Sequence, residues 1–132
     1  GHPAHIRAHE ITMAAAPRAS SVRRVFHTVS SRRATVEGLA ALRGAGDVGF
    51  RIPGDDELPT TPDADITTVV DIRAHRWRKF AALAAHETQV AVGPDCFALS
   101  NGIAQPVPAA EYFVLAHGPA EGAETDLFGG LR

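Results

Sequence analysis

Residues 66–86, ITTVVDIRAHRWRKFAALAAH, contain the clearest indication of the fold. The first seven are rich in β-branched side chains, which predicts a strand over 66–72. From about residue 74 to residue 86, apolar side chains recur at helical spacing and predict a helix. Its apolar face is expected to consist of Trp77, Phe80, Ala81 and Ala84. A strand that leads directly into a helix favours an α/β fold.

The segments before this unit predict two more helices and one more long strand. Pro3 suits the first turn of a helix over 5–16, which Pro17 ends. A β-branched and aromatic run predicts a strand over 22–29. Ser30 and Ser31 can cap the next helix. Its apolar stripe is expected to consist of Val36, Leu39 and Ala40.

The other segments contain weaker elements. Residues 44–62 are rich in glycine, proline and acidic residues, which predicts a long surface loop with a short strand around 50–52. A short extended piece is expected at 90–92 and a further strand at 112–116. The rest is expected to be irregular and to end in a glycine-rich tail.

The composition is that of an ordinary globular domain. The 132 residues are 45% hydrophobic and 21% charged, with a net charge of −2. This charge gives no electrostatic reason to expect nucleic acid or an anionic membrane as a partner. The one cysteine, Cys96, cannot form an internal disulfide, and no apolar run approaches the roughly 20 residues that cross a bilayer. We therefore expect a cytoplasmic protein.

Three histidines, His2, His5 and His9, lie within the first nine residues. His5 and His9 are four residues apart, so on a helix they project from one face, and His2 can approach from the preceding turn. Imidazole is the commonest biological metal ligand and titrates near neutral pH. Three interpretations stay open: a self-contained metal site, solvated or core histidines, and part of a site that is completed elsewhere.

Residues 1–9, GHPAHIRAH, resemble the G-H-P-D-H-[IV]-x-x-H segment of the zinc-dependent N-acetylglucosamine de-N-acetylases, the PIG-L/LmbE family. Four downstream blocks resemble the C-terminal half of its mycothiol-pathway branch, the N-acetylglucosaminyl-inositol deacetylases. They are 67–71 (TTVVD), 79–90 (KFAALAAHETQV), 97–106 (FALSNGIAQP) and 124–127 (ETDL). The resemblance implies that this chain is the C-terminal portion of a Rossmann-like α/β fold. The N-terminal half, with the main parallel sheet, would then be its partner.

The resemblance also implies a Zn²⁺ cofactor, a small amino-sugar substrate and a role for two histidines. The family holds zinc with the His and second Asp of an N-terminal H-P-D-D-E motif and with the last His of H-P-D-H, which corresponds to His5. The first His of H-P-D-H corresponds to His2, which would stabilise the tetrahedral oxyanion as an imidazolium. The first Asp of H-P-D-D-E would act as general base on a zinc-bound water. No ligand role is carried over to His9.

Two departures from the family pattern bear on activity. This chain has no H-P-D-D-E motif. Residues 53–57 (PGDDE) resemble it, but they lack the histidine and have a glycine after the proline, so we predict an acidic loop there. Ala4 stands where the family has Asp, a carboxylate that can orient the histidine and favour its protonated form. A non-catalytic interaction or scaffold domain therefore stays an alternative. So does an amidase acting on mycothiol conjugates, which shares the H-P-D-H motif.

Several other residues have simpler expectations. His27, in a strand, is predicted to be structural or to lie at the surface, and His86 is predicted to interact with the dipole at a helix C-terminus. Cys96 would be reactive only if it were exposed. Ser100 and Asn101 are expected either to line the substrate site or to fix their loop.

Overall fold

The computed structural model describes residues 3–131, which form three α-helices and six β-strands. The helices are α1 (Pro3–Ala15), α2 (Arg32–Ala45) and α3 (Arg76–Ala84). The strands are β1 (Val25–Val29), β2 (Thr68–Asp71), β3 (Ala91–Gly93), β4 (Cys96–Ala98), β5 (Ala104–Pro106) and β6 (Ala110–His117). The expected mixture of helices and strands is confirmed. None of the described helices is long and apolar enough to cross a membrane.

The strands form two three-stranded antiparallel sheets. The first has the order β1-β6-β2, so β6 is its central strand. Phe26 of β1 lies opposite Leu115, and Val69 of β2 lies opposite Tyr112. The second sheet has the order β3-β4-β5. The predicted strands correspond to β1, β2, β3 and β6, whereas β4 and β5 lie in a part that was expected to be irregular.

Helix α2 begins where the sequence predicts, because Ser31 caps it. The Ser31 hydroxyl accepts a hydrogen bond from the Ala34 amide at 3.0 Å and donates one to Asp63 at 2.7 Å. The predicted apolar stripe is only partly right, since Ala40 is exposed and Val36 half-buried. The buried residues of α2 are Thr35, Leu39 and Leu42. These positions recur at i, i+4 and i+7, the spacing of one helical face.

The buried core lies between α2 and the second sheet. Its cluster consists of Leu42, Val48, Cys96 and Ala104, with Phe50 and Ile52 packed against it. Gly38 lets α2 approach β5 closely, because a Cβ there would lie 2.5 Å from Cβ of Pro106. The predicted short strand at 50–52 is present as a single parallel bridge between Arg51 and Ile103. The core therefore lies in the part of the described chain that is formed by α2, the second sheet and residues 48–52.

Helix α3 turns a different face inward from the one predicted. Trp77 is 65% exposed, and Ala81 and Ala84 are exposed too, so the prediction that these residues form the core face is wrong. The half-buried residues of α3 are Arg76, Lys79, Phe80 and Leu83. On this inward face the Arg76 guanidinium donates a hydrogen bond to the carbonyl of Val107 at 2.7 Å and pairs with Asp95 at 2.7 Å.

The first sheet and α1 are much less covered. All eight residues of β6 are half-buried, without the alternation of buried and exposed residues that a covered face produces. No residue of α1 is buried, and Ile6 and Ile11 are 51% and 55% exposed. A central strand and a neighbouring helix are therefore left open to a further layer of structure.

Candidate histidine site at the start of helix α1

The predicted zinc ligand, His5, lies in the first turn of α1 and is exposed. The helix begins at Pro3, as the fixed backbone angle of proline predicts. The predicted oxyanion-stabilising residue, His2, lies outside the described residues. The structure therefore places one of the two predicted site residues, at the accessible N-terminal end of a helix.

His9 and His27 form a contact between α1 and β1. Their ring centroids are 5.0 Å apart, and the ring planes are tilted by 53°. The Nε2 atom of His27 is buried and has no hydrogen-bond partner among the described residues. The ring of His27 thus packs against another part of the chain, as expected of a structural histidine. The sequence could not indicate this contact, because the two residues lie on different elements.

The described residues do not form a complete metal site. Across residues 3–131, no three or more His, Cys, Asp or Glu side chains lie close enough together to hold a metal ion. A catalytic zinc site takes about three protein ligands. An exposed imidazole such as that of His5 fits one ligand position, and at least one further ligand of such a site would have to come from outside these residues. The self-contained site of His2, His5 and His9 depends on His2 and stays a prediction.

The acidic loop is confirmed, and its acids are used in ion pairs rather than directed into a cavity. The exposed pairs are Asp55 with Arg43 at 2.8 Å, Asp56 with Arg32 at 2.7 Å and Glu57 with Arg51 at 3.0 Å. The hydrogen bond from Arg51 lowers the pKa of Glu57, and the bond from the amide of Gly54 adds to this effect. The lowered pKa of Glu57 does not favour a general-acid role for this carboxyl.

Three more residues have structural roles. Cys96 is buried, and its burial, followed by the nearby charge of Asp95, raises the pKa of the thiol, so it is not a reactive cysteine. The side-chain oxygen of Asn101 accepts a hydrogen bond from the Ile103 amide at 3.1 Å, which fixes the loop. His86 Nδ1 lies 2.8 Å from the carbonyl of Ala82, at the C-terminal end of α3. The expected interaction of His86 with the helix end is confirmed.

The curated proteins to which this chain is similar are deacetylases. Three of them are named 1D-myo-inositol 2-acetamido-2-deoxy-alpha-D-glucopyranoside deacetylase, one with the suffix 1. The chain is 71% identical over 131 residues to that of Saccharomonospora viridis, covering 99% of the chain and 49% of the relative. For Actinosynnema mirum the identity is 56%, with 99% and 48% covered, and for Saccharopolyspora erythraea it is 53%, with 99% and 46% covered. No family model matches the chain.

The chain thus spans about half the length of the curated relatives it matches. The predicted similarity to deacetylases of an inositol-linked acetamido sugar is confirmed by their names. The assignment to the PIG-L/LmbE family and the zinc dependence stay predictions.

Proposed function

We propose that this chain is the C-terminal half of a zinc-dependent deacetylase with a Rossmann-like α/β fold. The reaction would be hydrolysis of the N-acetyl group of an N-acetylglucosaminyl-inositol type of substrate, with release of acetate. The observation that carries the proposal is the 71% identity over 131 residues to a deacetylase of Saccharomonospora viridis. We place this reaction in the cytoplasm and in the mycothiol pathway.

The uncovered surfaces support a companion half. Ile6 and Ile11 leave apolar area exposed on α1, and β6 is half-buried along its whole length. Large apolar side chains that stay exposed on a helix without any buried residue favour a contact with further structure. The relatives are about twice as long as this chain. The half of each relative that this chain does not match would correspond to the companion half.

In this proposal His5, in the first turn of α1, and His2 act at the reaction centre. Zn²⁺, when bound, supplies a water whose pKa is lowered toward about 7. His5 would provide one imidazole ligand, and the companion half would provide the remaining ones. His2 would donate a hydrogen bond to the oxygen that becomes negative as the amide carbonyl is attacked. A histidine that donates in this way must be protonated at the donating nitrogen, so Ala4 in place of an acid weakens its role.

A non-catalytic scaffold domain is the second candidate, and two observations favour it. Ala4 replaces the acid of the family motif, and the acids of 53–57 are engaged with Arg43, Arg32 and Arg51. A scaffold would bind no zinc, with or without a companion half, whereas a half-enzyme binds zinc only with its companion.

The test measures zinc and acetate in the reassembled protein. The chain is combined with the part of the Saccharomonospora viridis relative that it does not match, and bound zinc is counted by native mass spectrometry. We expect one zinc per complex and acetate release from the acetylated substrate. His5→Ala should remove the zinc, while His75→Ala, which changes an exposed histidine just before α3, should not.

Two results would contradict this proposal. Full zinc content in the His5→Ala complex would show that His5 is not a ligand. A complex of the unsubstituted chain with neither zinc nor acetate release would favour the scaffold domain.

A further inference from the structure

A cavity of about 280 Å³ lies between the two sheets, beside α2 and α3. It begins at the C-terminal end of β1, where Ser30 lines it, and extends past the start of β6 to β5. Pockets for small molecules usually measure about 300–1,000 Å³. The cavity therefore has room for a ligand of about one ring.

The described lining of the cavity carries no net charge. Its charged members are Lys79 on α3 and Glu111 on β6, and they pair with each other, with Nζ and Oε1 3.1 Å apart. Their side chains are 31% and 40% exposed, so both remain accessible to a ligand. Because cation and anion balance, neither a phosphate nor a metal ion would find an excess of opposite charge here.

Besides the charged pair, the polar part of the lining consists of Thr28, Ser30, Ser31, Thr35, Gln105 and Tyr112, and the Ser31 hydroxyl is already bonded to Asp63. Three of these side chains are Ser30, Gln105 and Tyr112. A serine hydroxyl, a glutamine amide and a tyrosine hydroxyl can each both donate and accept a hydrogen bond. None of the three makes a side-chain hydrogen bond within the described chain. A ligand hydroxyl also donates and accepts, so hydroxyl groups match this lining.

The rest of the cavity wall is apolar. Phe97 from β4 and Leu83 from α3 lie on it, together with Leu58. A saturated ring with hydroxyl groups offers a polar rim and carbon–hydrogen faces. Such a ring can direct its rim to the Lys79–Glu111 pair while its face contacts the apolar wall, which neither a fully apolar ligand nor a small ion does.

We propose that this cavity binds a neutral polyhydroxylated six-membered ring, specifically the cyclitol ring of the substrate. Adjacent hydroxyls would bridge Lys79 and Glu111, and Tyr112 would bond a further hydroxyl. The assignment to the substrate rests on the proposed function, since myo-inositol occurs in the names of the relatives. In that function the ring is the part of the substrate that does not react. Binding there would position the acetamido group without contributing to the chemistry.

The test is a titration of the full chain with myo-inositol, followed by the amide resonances of residues 104–117. We expect a saturable shift centred on Glu111 and Tyr112. Tyr112→Phe removes one hydroxyl and should weaken binding about five-fold, and Glu111→Gln, which breaks the charge pair, should weaken it about ten-fold or more. Glu87→Gln is the matched control, because Glu87 is an exposed acid outside the cavity. It should bind like the unsubstituted chain.

A second measurement does not depend on the folding of a variant. Lys79 is the only lysine of the sequence, so its acylation by an amine-reactive ester, read by peptide mass spectrometry, reports directly on the cavity. We expect myo-inositol to slow this acylation, and glycerol at equal concentration to do so less. Equal acylation rates with and without myo-inositol would overturn the proposal.

Other ligands separate the alternatives. Inorganic phosphate that shifts the same resonances more strongly would overturn the argument from neutral charge. N-acetylglucosamine that binds in preference to myo-inositol would overturn the choice of the cyclitol ring. The titration needs neither zinc nor the companion half. A chain that binds myo-inositol but never yields a zinc complex would keep this site and refute the deacetylase, and the converse would refute this site alone.

Discussion

Arg24, just before β1, holds the C-terminal segment of residues 119–131 against the rest of the chain. Its guanidinium donates four hydrogen bonds to backbone carbonyls of this segment. They reach Pro119 at 2.7 Å, Glu121 at 2.6 Å, Leu127 at 3.1 Å and Gly129 at 2.7 Å. We predict that Arg24→Ala releases the segment while the two sheets stay folded.

The magnitude follows from how much of this contact is shielded from water. A hydrogen bond to a charged group contributes about 1.5–3 kcal/mol, but the bonds to Pro119 and Glu121 are exposed and contribute little. The bonds to Leu127 and Gly129 are partly buried. At about 1.5 kcal/mol each, their loss lowers the free energy of opening the segment by about 3 kcal/mol. Amide exchange should then accelerate about 100-fold.

Hydrogen exchange of single amides in the full chain measures this effect. The amides of Ala123, Gly129 and Leu131 are bonded within the segment, and the Val69 amide donates to the carbonyl of Glu124 at 2.9 Å. All four should exchange faster in Arg24→Ala. Arg78→Ala is the control, because Arg78 lies over the exposed ring of Trp77 at 5.1 Å, far along the chain from this segment. Equal exchange rates in the two variants would refute the role of Arg24.

Two further predictions concern the ends of helices. Ala4→Asp should raise acetate release by the reassembled protein about ten-fold, because a carboxylate beside His2 favours the imidazolium. Ala8→Asp is the control, since it adds the same charge to the exposed surface of α1 and should leave the rate unchanged. Equal rates of acetate release in the two variants would contradict this prediction. Ser31→Ala should lower the free energy of unfolding by about 2 kcal/mol, from the lost cap of α2 and the lost bond to Asp63. Urea denaturation measures this, with the exposed Ser20→Ala as control. Equal denaturation midpoints of Ser31→Ala and Ser20→Ala would show that the cap does not stabilise the chain.

Local signals in the sequence predict the elements whose causes are themselves local. Ser31 caps α2 because its side chain reaches an amide three residues ahead, and Pro3 begins α1 because its backbone angle is already helical. The β-branched run around Val69 forms a strand for the same kind of reason. Each of these elements lies within two residues or so of its expected start.

Tertiary contacts decide the features that the sequence does not predict. Trp77 is the largest apolar residue of α3, yet it faces solvent, while Arg76 on the inward face bonds to the carbonyl of Val107. Strands β4 and β5 have three residues each, too few for a period-two pattern to stand out.

The glycine-rich C-terminal segment was expected to be irregular, but its backbone is closely packed. Gly118 has a positive φ of 98°, and a Cβ there would overlap the carbonyl oxygen of Arg23. The glycines thus permit a close backbone approach, which Arg24 then secures from a hundred residues away in the sequence. For the candidate histidine site, the sequence predicts which side chains could be metal ligands. It does not predict whether these residues form a complete set of ligands.

In the proposed half-enzyme, the incomplete burial and the incomplete set of metal ligands have a common explanation. Among the described residues, the buried aliphatic side chains larger than cysteine are Leu39, Leu42, Val48, Pro53 and Val107. This is a small core, and no residue of α1 is buried in it, so the hydrophobic effect contributes little to holding α1 in place. A companion half that covers α1 and β6 would bury Ile6 and Ile11 and would also fix the orientation of His5. Zinc binding and the order of α1 should therefore appear together when the companion half is added, because the same contacts produce both.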